Sequence, residues 1–173
     1  MPIPHISDPL REIISRIKRE TGASGKLYPC TFSRVPFKRV EGDQQLPNIT
    51  LQNFSDEDEP FMAGSKQNTA LSANVVKTTQ TLTFLLCFNM DNGIYSEDGD
   101  SQLGLMDWVA RFKDTIEIND EGCQDLTLNG TCLEPLYTSL QNTELEELSW
   151  VLEFIVTLYP KPLARGSRSL PSS

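Results

Sequence analysis

The sequence contains no apolar run near the roughly 18 residues that a membrane-spanning helix takes; its longest, 82–88 and 150–158, are interrupted by polar residues. Basic charge is also scarce. Against 24 Asp and Glu stand 15 Lys and Arg, a net −9, the opposite of a nucleic-acid binder's balance. The one histidine, His5, lies among prolines ahead of the first helix, a poor place to fix an acid–base group. The four cysteines, Cys30, Cys87, Cys123 and Cys132, lack C-x-x-C spacing, so plain thiols are expected rather than zinc ligands or disulfides. No G-x-S-x-G, P-loop, G-x-G-x-x-G or H-E-x-x-H motif occurs. Met1–Leu10 carries prolines, a histidine and an aspartate where a signal peptide has its apolar stretch, so assembly in the cytosol is expected.

What the chain does have is charge sorted into blocks. Residues 1–40 carry eight Lys and Arg against three acids, and residues 41–160 carry four against twenty-one. The last thirteen add Lys161, Arg165 and Arg168 with no acid. Catalysis has no general use for such sorting, whereas a subunit that stacks on copies of itself can use it directly.

At 173 residues the chain has the size of one domain. Asp8 and Pro9 open a first helix with Leu10, Ile13, Ile14 and Ile17 on one face and Arg11, Arg16, Lys18 and Arg19 on the others. Gly22 and Gly25 end it. Leu27–Val35, with Pro29 inside and Pro36 after, reads as an edge strand, and Leu46–Phe54 as a second. The pattern then stops, which predicts a long loop over 55–77 containing Asp56, Glu57, Asp58 and Glu59. Two readings stand for it: a solvated loop, or a docking arm or channel lining.

A clear strand follows, with Leu82, Phe84, Leu86, Phe88 and Met90 on one face. A helix beginning near Ser101 places Leu105, Trp108, Val109, Phe112 and Ile116 on one stripe. Leu126–Leu133 reads as a strand that bends at Pro135 and continues to Leu140; Gln141–Glu147 reads as an acidic connection. Leu148–Tyr159 alternates over its whole length and is the strongest strand. The order α-β-β-(long loop)-β-α-β-β predicts an α+β fold, a mostly antiparallel sheet flanked by helices. The expected organisation is one domain over 1–160 and a basic extension over 161–173. Asp91, Asn92, Glu97, Asp98 and Asp100 do not follow the order of a calcium loop, so an acid-rich turn is expected, with no metal and no other cofactor.

Three segments, placed in this order of elements, carry a resemblance. They are Asp8-Pro9-Leu10-Arg11-Glu12-Ile13-Ile14, Gly104-Leu105-Met106-Asp107-Trp108-Val109-Ala110-Arg111, and the closing run from Glu144 through Trp150 to Tyr159. Over residues 6–160 the chain resembles the tail terminator (tail completion) proteins of tailed bacteriophages. That resemblance implies a sheet flanked by helices, no catalytic residues, and a hexameric ring in the virion. Such a ring caps the finished tail tube, joins it to the neck or connector protein, and meets the sheath where the tail contracts. DNA passes through its lumen without specific binding. The 55–77 and 160–173 segments depart from the small members of that family.

Three surfaces are expected to carry contacts. Arg11, Arg16, Lys18 and Arg19 form one. Lys161, Arg165 and Arg168 form a second, suited to an acidic neighbouring subunit. Asp56, Glu57, Asp58 and Glu59, with Glu97, Asp98 and Asp100, form a third, facing a lumen or a basic partner. Two alternatives remain at this point: a neck, head-completion or other tail adaptor, and, more distantly, a small cytosolic enzyme using paired carboxylates.

Overall fold

In the computed structural model the chain is described over residues 8–33, 47–60, 75–89, 91–146, 149–161 and 163–164. The fold is α+β. Its elements are α1 (Asp8–Glu20), β1 (Thr31–Ser33), β2 (Asn48–Pro60), β3 (Val75–Asn89), α2 (Leu105–Glu117), β4 (Cys132–Glu146), β5 (Ser149–Pro160) and β6 (Leu163–Ala164). The sheet runs β1-β2-β3-β5-β4, antiparallel throughout except for the parallel β1–β2 pair, and β6 joins β3.

Alternation on the two central strands builds the core. Leu82, Phe84, Leu86 and Phe88 of β3 and Leu152, Phe154, Val156 and Leu158 of β5 are all buried, joined by Ile49 and Leu51 of β2. Both described helices cover this face. Phe112 of α2 sets its ring edge-on against Phe84 and Phe154, at 5.4 and 4.8 Å between centroids, and Trp108 stacks on Phe88 at 5.7 Å. Ile13 and Ile17 of α1 complete the cluster. Burying side chains of this size stabilises the sheet–helix contact by about 1.5–3 kcal/mol each.

Several elements differ from expectation, and backbone hydrogen bonding gives the reasons. β1 begins only at Thr31 because the preceding segment spends its amides on turns: Gly25 N–H to Gly22, Leu27 to Glu20, Tyr28 to Gly25 and Cys30 to Leu27; Arg34 and Val35 lie outside the described residues. It does lie at the sheet edge. Leu126–Thr131 is not a strand. Asp125 accepts from Thr127 N–H, Thr127 Oγ1 and Asn129 N–H, and Leu128, Asn129 and Gly130 all take positive φ, so the chain coils until Cys132. β4 then continues through Pro135, with register shifts on either side of Glu134, and on through the expected connection to Glu146, which pairs with Ser149.

The 55–77 loop is a correction as well. Asp56–Glu59 lie within β2, opposite Gln80, Thr79, Thr78 and Lys77 of β3. Gln80 Nε2 donates to Asp56 Oδ2 at 2.9 Å and Thr78 Oγ1 to Asp58 Oδ1 at 2.8 Å, so neutral donors across the ladder offset repulsion among the carboxylates. Residues 61–74 lie outside the described residues. The C-terminal extension is not wholly separate from the sheet either, since Leu163 and Ala164 pair with Val76 and Val75.

Candidate functional site

The basic helix face divides in two. Arg16 falls three residues after Ile13 and one before Ile17, on the flank of the apolar stripe, and it is fully buried. Its Nε meets Glu12 Oε1 at 2.9 Å, one turn back. Its Nη1 donates to the carbonyls of Ile116 at 2.6 Å and Asp125 at 2.9 Å, and its Nη2 reaches Asp125 Oδ2 at 2.8 Å. Arg19 donates to Ile118 O at 3.1 Å and pairs with Asp120 and Glu20. Both guanidinium groups thus sit on the C-terminal end of α2, where orphan carbonyls and the helix dipole favour cations. Arg16 is therefore enclosed by the fold, a correction to its expected contact role; Arg19 also holds the end of α2 but is partly exposed, and Arg11 and Lys18 are exposed.

Asp125 answers Arg16. Burial raises its pKa, but Asn129 N–H, the Thr127 hydroxyl and Arg16 together hold it below the usual carboxylate range. Sequence reading missed Asp125, although Asp followed by Thr two residues on and Asn-Gly four residues on is a turn signature.

The acids occupy two separate places. Asp56, Glu57, Asp58 and Glu59 are exposed on the outer part of β2. Glu97, Asp98 and Asp100 are exposed on the segment between β3 and α2. Asp56–Glu59 pair with Lys77–Gln80 near the start of β3, whereas the 91–104 segment follows its end. The structure does not bring them together.

The second group sits on a fixed loop. The first amides of α2 are satisfied by it: Leu105 N–H bonds Gly93 O and Met106 N–H bonds Ile94 O, both at 2.8 Å. Asp107 reaches back to accept from Ser96 Oγ, Ser96 N–H and Gly104 N–H. The Ser96 hydroxyl and amide, against a small opposing desolvation, hold the Asp107 carboxyl below its ordinary range, with Gly104 N–H and Arg111 adding to them. Gly104 has no room for a side chain, since a Cβ there would stand 2.3 Å from Tyr95 Cα. The loop so held exposes Ile94, Tyr95 and, from α2, Met106.

Of the basic extension, Lys161 is exposed and its N–H donates to Thr131 O at 3.0 Å. Arg165 and Arg168 lie outside the described residues. Lys77 of β3 pairs with Glu134 at 3.5 Å and stands 5.6 Å from the centre of the Tyr159 ring.

A cavity of about 390 Å³ lies at the loop end of the sheet, between Tyr28, Pro29, Phe88, Asn89, Asn92 and Trp108, and no charged side chain lines it. A shallower one of about 560 Å³ follows the loop itself and includes Asp91, Glu97 and Asp100. The carboxyls held low, Glu20, Asp107 and Asp125, close turns and helix ends, and none lines either cavity. Burial pushes the Cys30 thiol up to about 12 and raises Cys132, consistent with packed, unreactive sulfur; Cys123 alone is exposed. Among the described residues no group of His, Cys, Asp and Glu could hold a metal ion, and no helix is long and apolar enough to cross a membrane.

Comparison with protein-family models gave no match, and comparison with curated proteins gave none.

Proposed function

We propose that the protein is a structural subunit of a phage virion: a tail terminator that closes into a ring, caps the tail tube and joins it to the neck. The observation that carries this reading is an exposed acidic strand in a sheet whose last strand, β6, leads into an acid-free basic stretch of sequence. An exposed acidic strand lies at one end of the sheet, and the chain leaves β6 for its acid-free basic segment at that same end. A subunit with two different complementary surfaces associates head to tail, and such contacts generate closed rings when the rotation permits. The resemblance over residues 6–160 supplies the identity of the ring and its six copies. Exposed carboxylates facing a lumen repel the phosphate backbone and let DNA pass without sticking. In this reading the protein carries out no reaction and needs no cofactor; its partners are its own copies, the tube protein, the neck protein and, in a contractile tail, the sheath.

The test is tube elongation. Purified protein added to polymerising tail tube protein stops growth and appears as a ring at one tube end by electron microscopy. Tubes that elongate unchanged, with the protein unattached, overturn the reading. Attachment to the head connector but not to the tube moves the protein to the neck.

A further inference from the structure

Among the described residues β2 is a sheet edge beyond Thr50. β1 covers only Asn48, Ile49 and Thr50, and among the described residues no strand pairs with the outer side of β2 beyond them. Such an edge presents a row of backbone donors and acceptors to any further strand. At Phe54 the amide donates to Asn53 Oδ1 at 2.8 Å, a local substitute for a neighbouring strand. The carboxylates along this edge are divided between its two faces. Asp56 and Asp58, opposite Gln80 and Thr78, share one face, and Glu57 and Glu59, opposite Thr79 and Lys77, share the other.

The end of the chain has the matching pattern. Pro162 and Pro171 bound a run in which every residue keeps its backbone N–H. β6 uses Leu163 and Ala164, which leaves six residues, 165–170, carrying Arg165 and Arg168 and no acid. Residues three positions apart fall on opposite faces of an extended strand, so in that conformation residues 165–170 would offer one arginine to each carboxylate pair.

We propose that residues 165–170 of one copy add as a strand to the open edge of β2 in a second copy, with each arginine facing the carboxylates of one face. The chain's own end fits the edge poorly. Ala164 lies opposite Val75, on the side of β3 away from β2. Reaching the outer edge of β2 crosses three strand spacings, about 14 Å, which consumes about four of the six residues. The proposal rests on the self-association in the reading above and is independent of what the ring caps.

The probe is a fluorescent peptide of sequence 163–173, titrated into full-length protein whose own end is disabled by Arg165→Glu and Arg168→Glu, with circular dichroism confirming the fold. The peptide binds, and rising salt weakens it. Adding Glu57→Arg and Glu59→Arg to the protein lowers affinity at least tenfold, and of the two peptides with a single arginine changed to glutamate, one recovers it and the other does not. A peptide with Gly166→Pro and Ser167→Pro, which removes an N–H from each side of the strand at unchanged charge, also loses at least tenfold. No binding by the natural peptide overturns the proposal, and so does equal binding by the proline peptide, which removes backbone pairing as the cause. If the unmodified protein is monomeric and takes the peptide only after its own end is disabled, the strand docks within one chain and exchange is overturned. An oligomer that persists with the end disabled overturns this contact and leaves the ring reading standing. A protein that binds the peptide yet leaves tube elongation unchanged overturns the tail reading alone.

Discussion

Replacing Arg16 with methionine tests whether a buried guanidinium fastens α1 to the end of α2. Methionine keeps the apolar stem and removes four hydrogen bonds, to Glu12 Oε1, Ile116 O, Asp125 O and Asp125 Oδ2. The surroundings stay buried, so the Asp125 carboxylate loses its counter-ion and the Ile116 carbonyl its donor. Removing one partner of a buried pair costs about 3–5 kcal/mol. Asp125 retains Thr127 and Asn129 as donors, which places the cost at the low end, about 3 kcal/mol. For a chain of this length that lowers the melting temperature by about 6–12 °C. Urea unfolding at neutral pH measures the cost directly. The pH dependence carries the second half of the argument. Burial opposes ionisation of Asp125, but its donors outweigh it and its folded pKa is lowered. Such a group gives stability that is present above its unfolded value and is lost as pH falls through the folded one. The gap between the parent protein and Arg16→Met therefore narrows as pH falls through the ordinary aspartate range and below it. A cost under about 1 kcal/mol, or a gap that stays constant through the acid range, refutes the reasoning.

Two further changes probe the frame. Phe112→Ala removes a fully buried ring in contact with Phe84 and Phe154, and costs about 3–5 kcal/mol in denaturant unfolding. Gly104→Ala drives a methyl into the Tyr95 backbone, so it destabilises by about 1–3 kcal/mol and speeds amide exchange at Leu105 and Met106, while exchange in β5 keeps its rate relative to global opening.

The core was legible wherever periodicity ran long. The stripe from Leu105 to Ile116, the β3 face from Leu82 to Phe88 and the β5 face from Leu152 to Leu158 are the residues that pack together. Local signals misled where side chains, rather than hydrophobic pattern, decide the backbone. Asp125 and its three donors turn an apparently apolar Leu126–Leu133 into a coil. Charge misled in the same way. Four consecutive carboxylates suggest a solvated loop, but Thr78 and Gln80 across the ladder give two of them hydrogen-bond partners. Charge alone likewise could not separate Arg11 from Arg16. Spacing could, because Arg16 lies between Ile13 and Ile17 with Glu12 one turn behind, and that is the position of a buried arginine held by its own helix. Asp107 and its hold on the 91–104 loop were not legible, since Ser96 lies eleven residues away in sequence.

The central claim is head-to-tail association through opposite charge. Native mass measurement of the purified full-length protein, across a salt series and with tail tube protein added, tests it most directly. The expected result is a closed species of six copies of the 19.4 kDa chain that falls apart as salt rises. A single-chain mass at every concentration and salt, with tube protein present or absent, contradicts it.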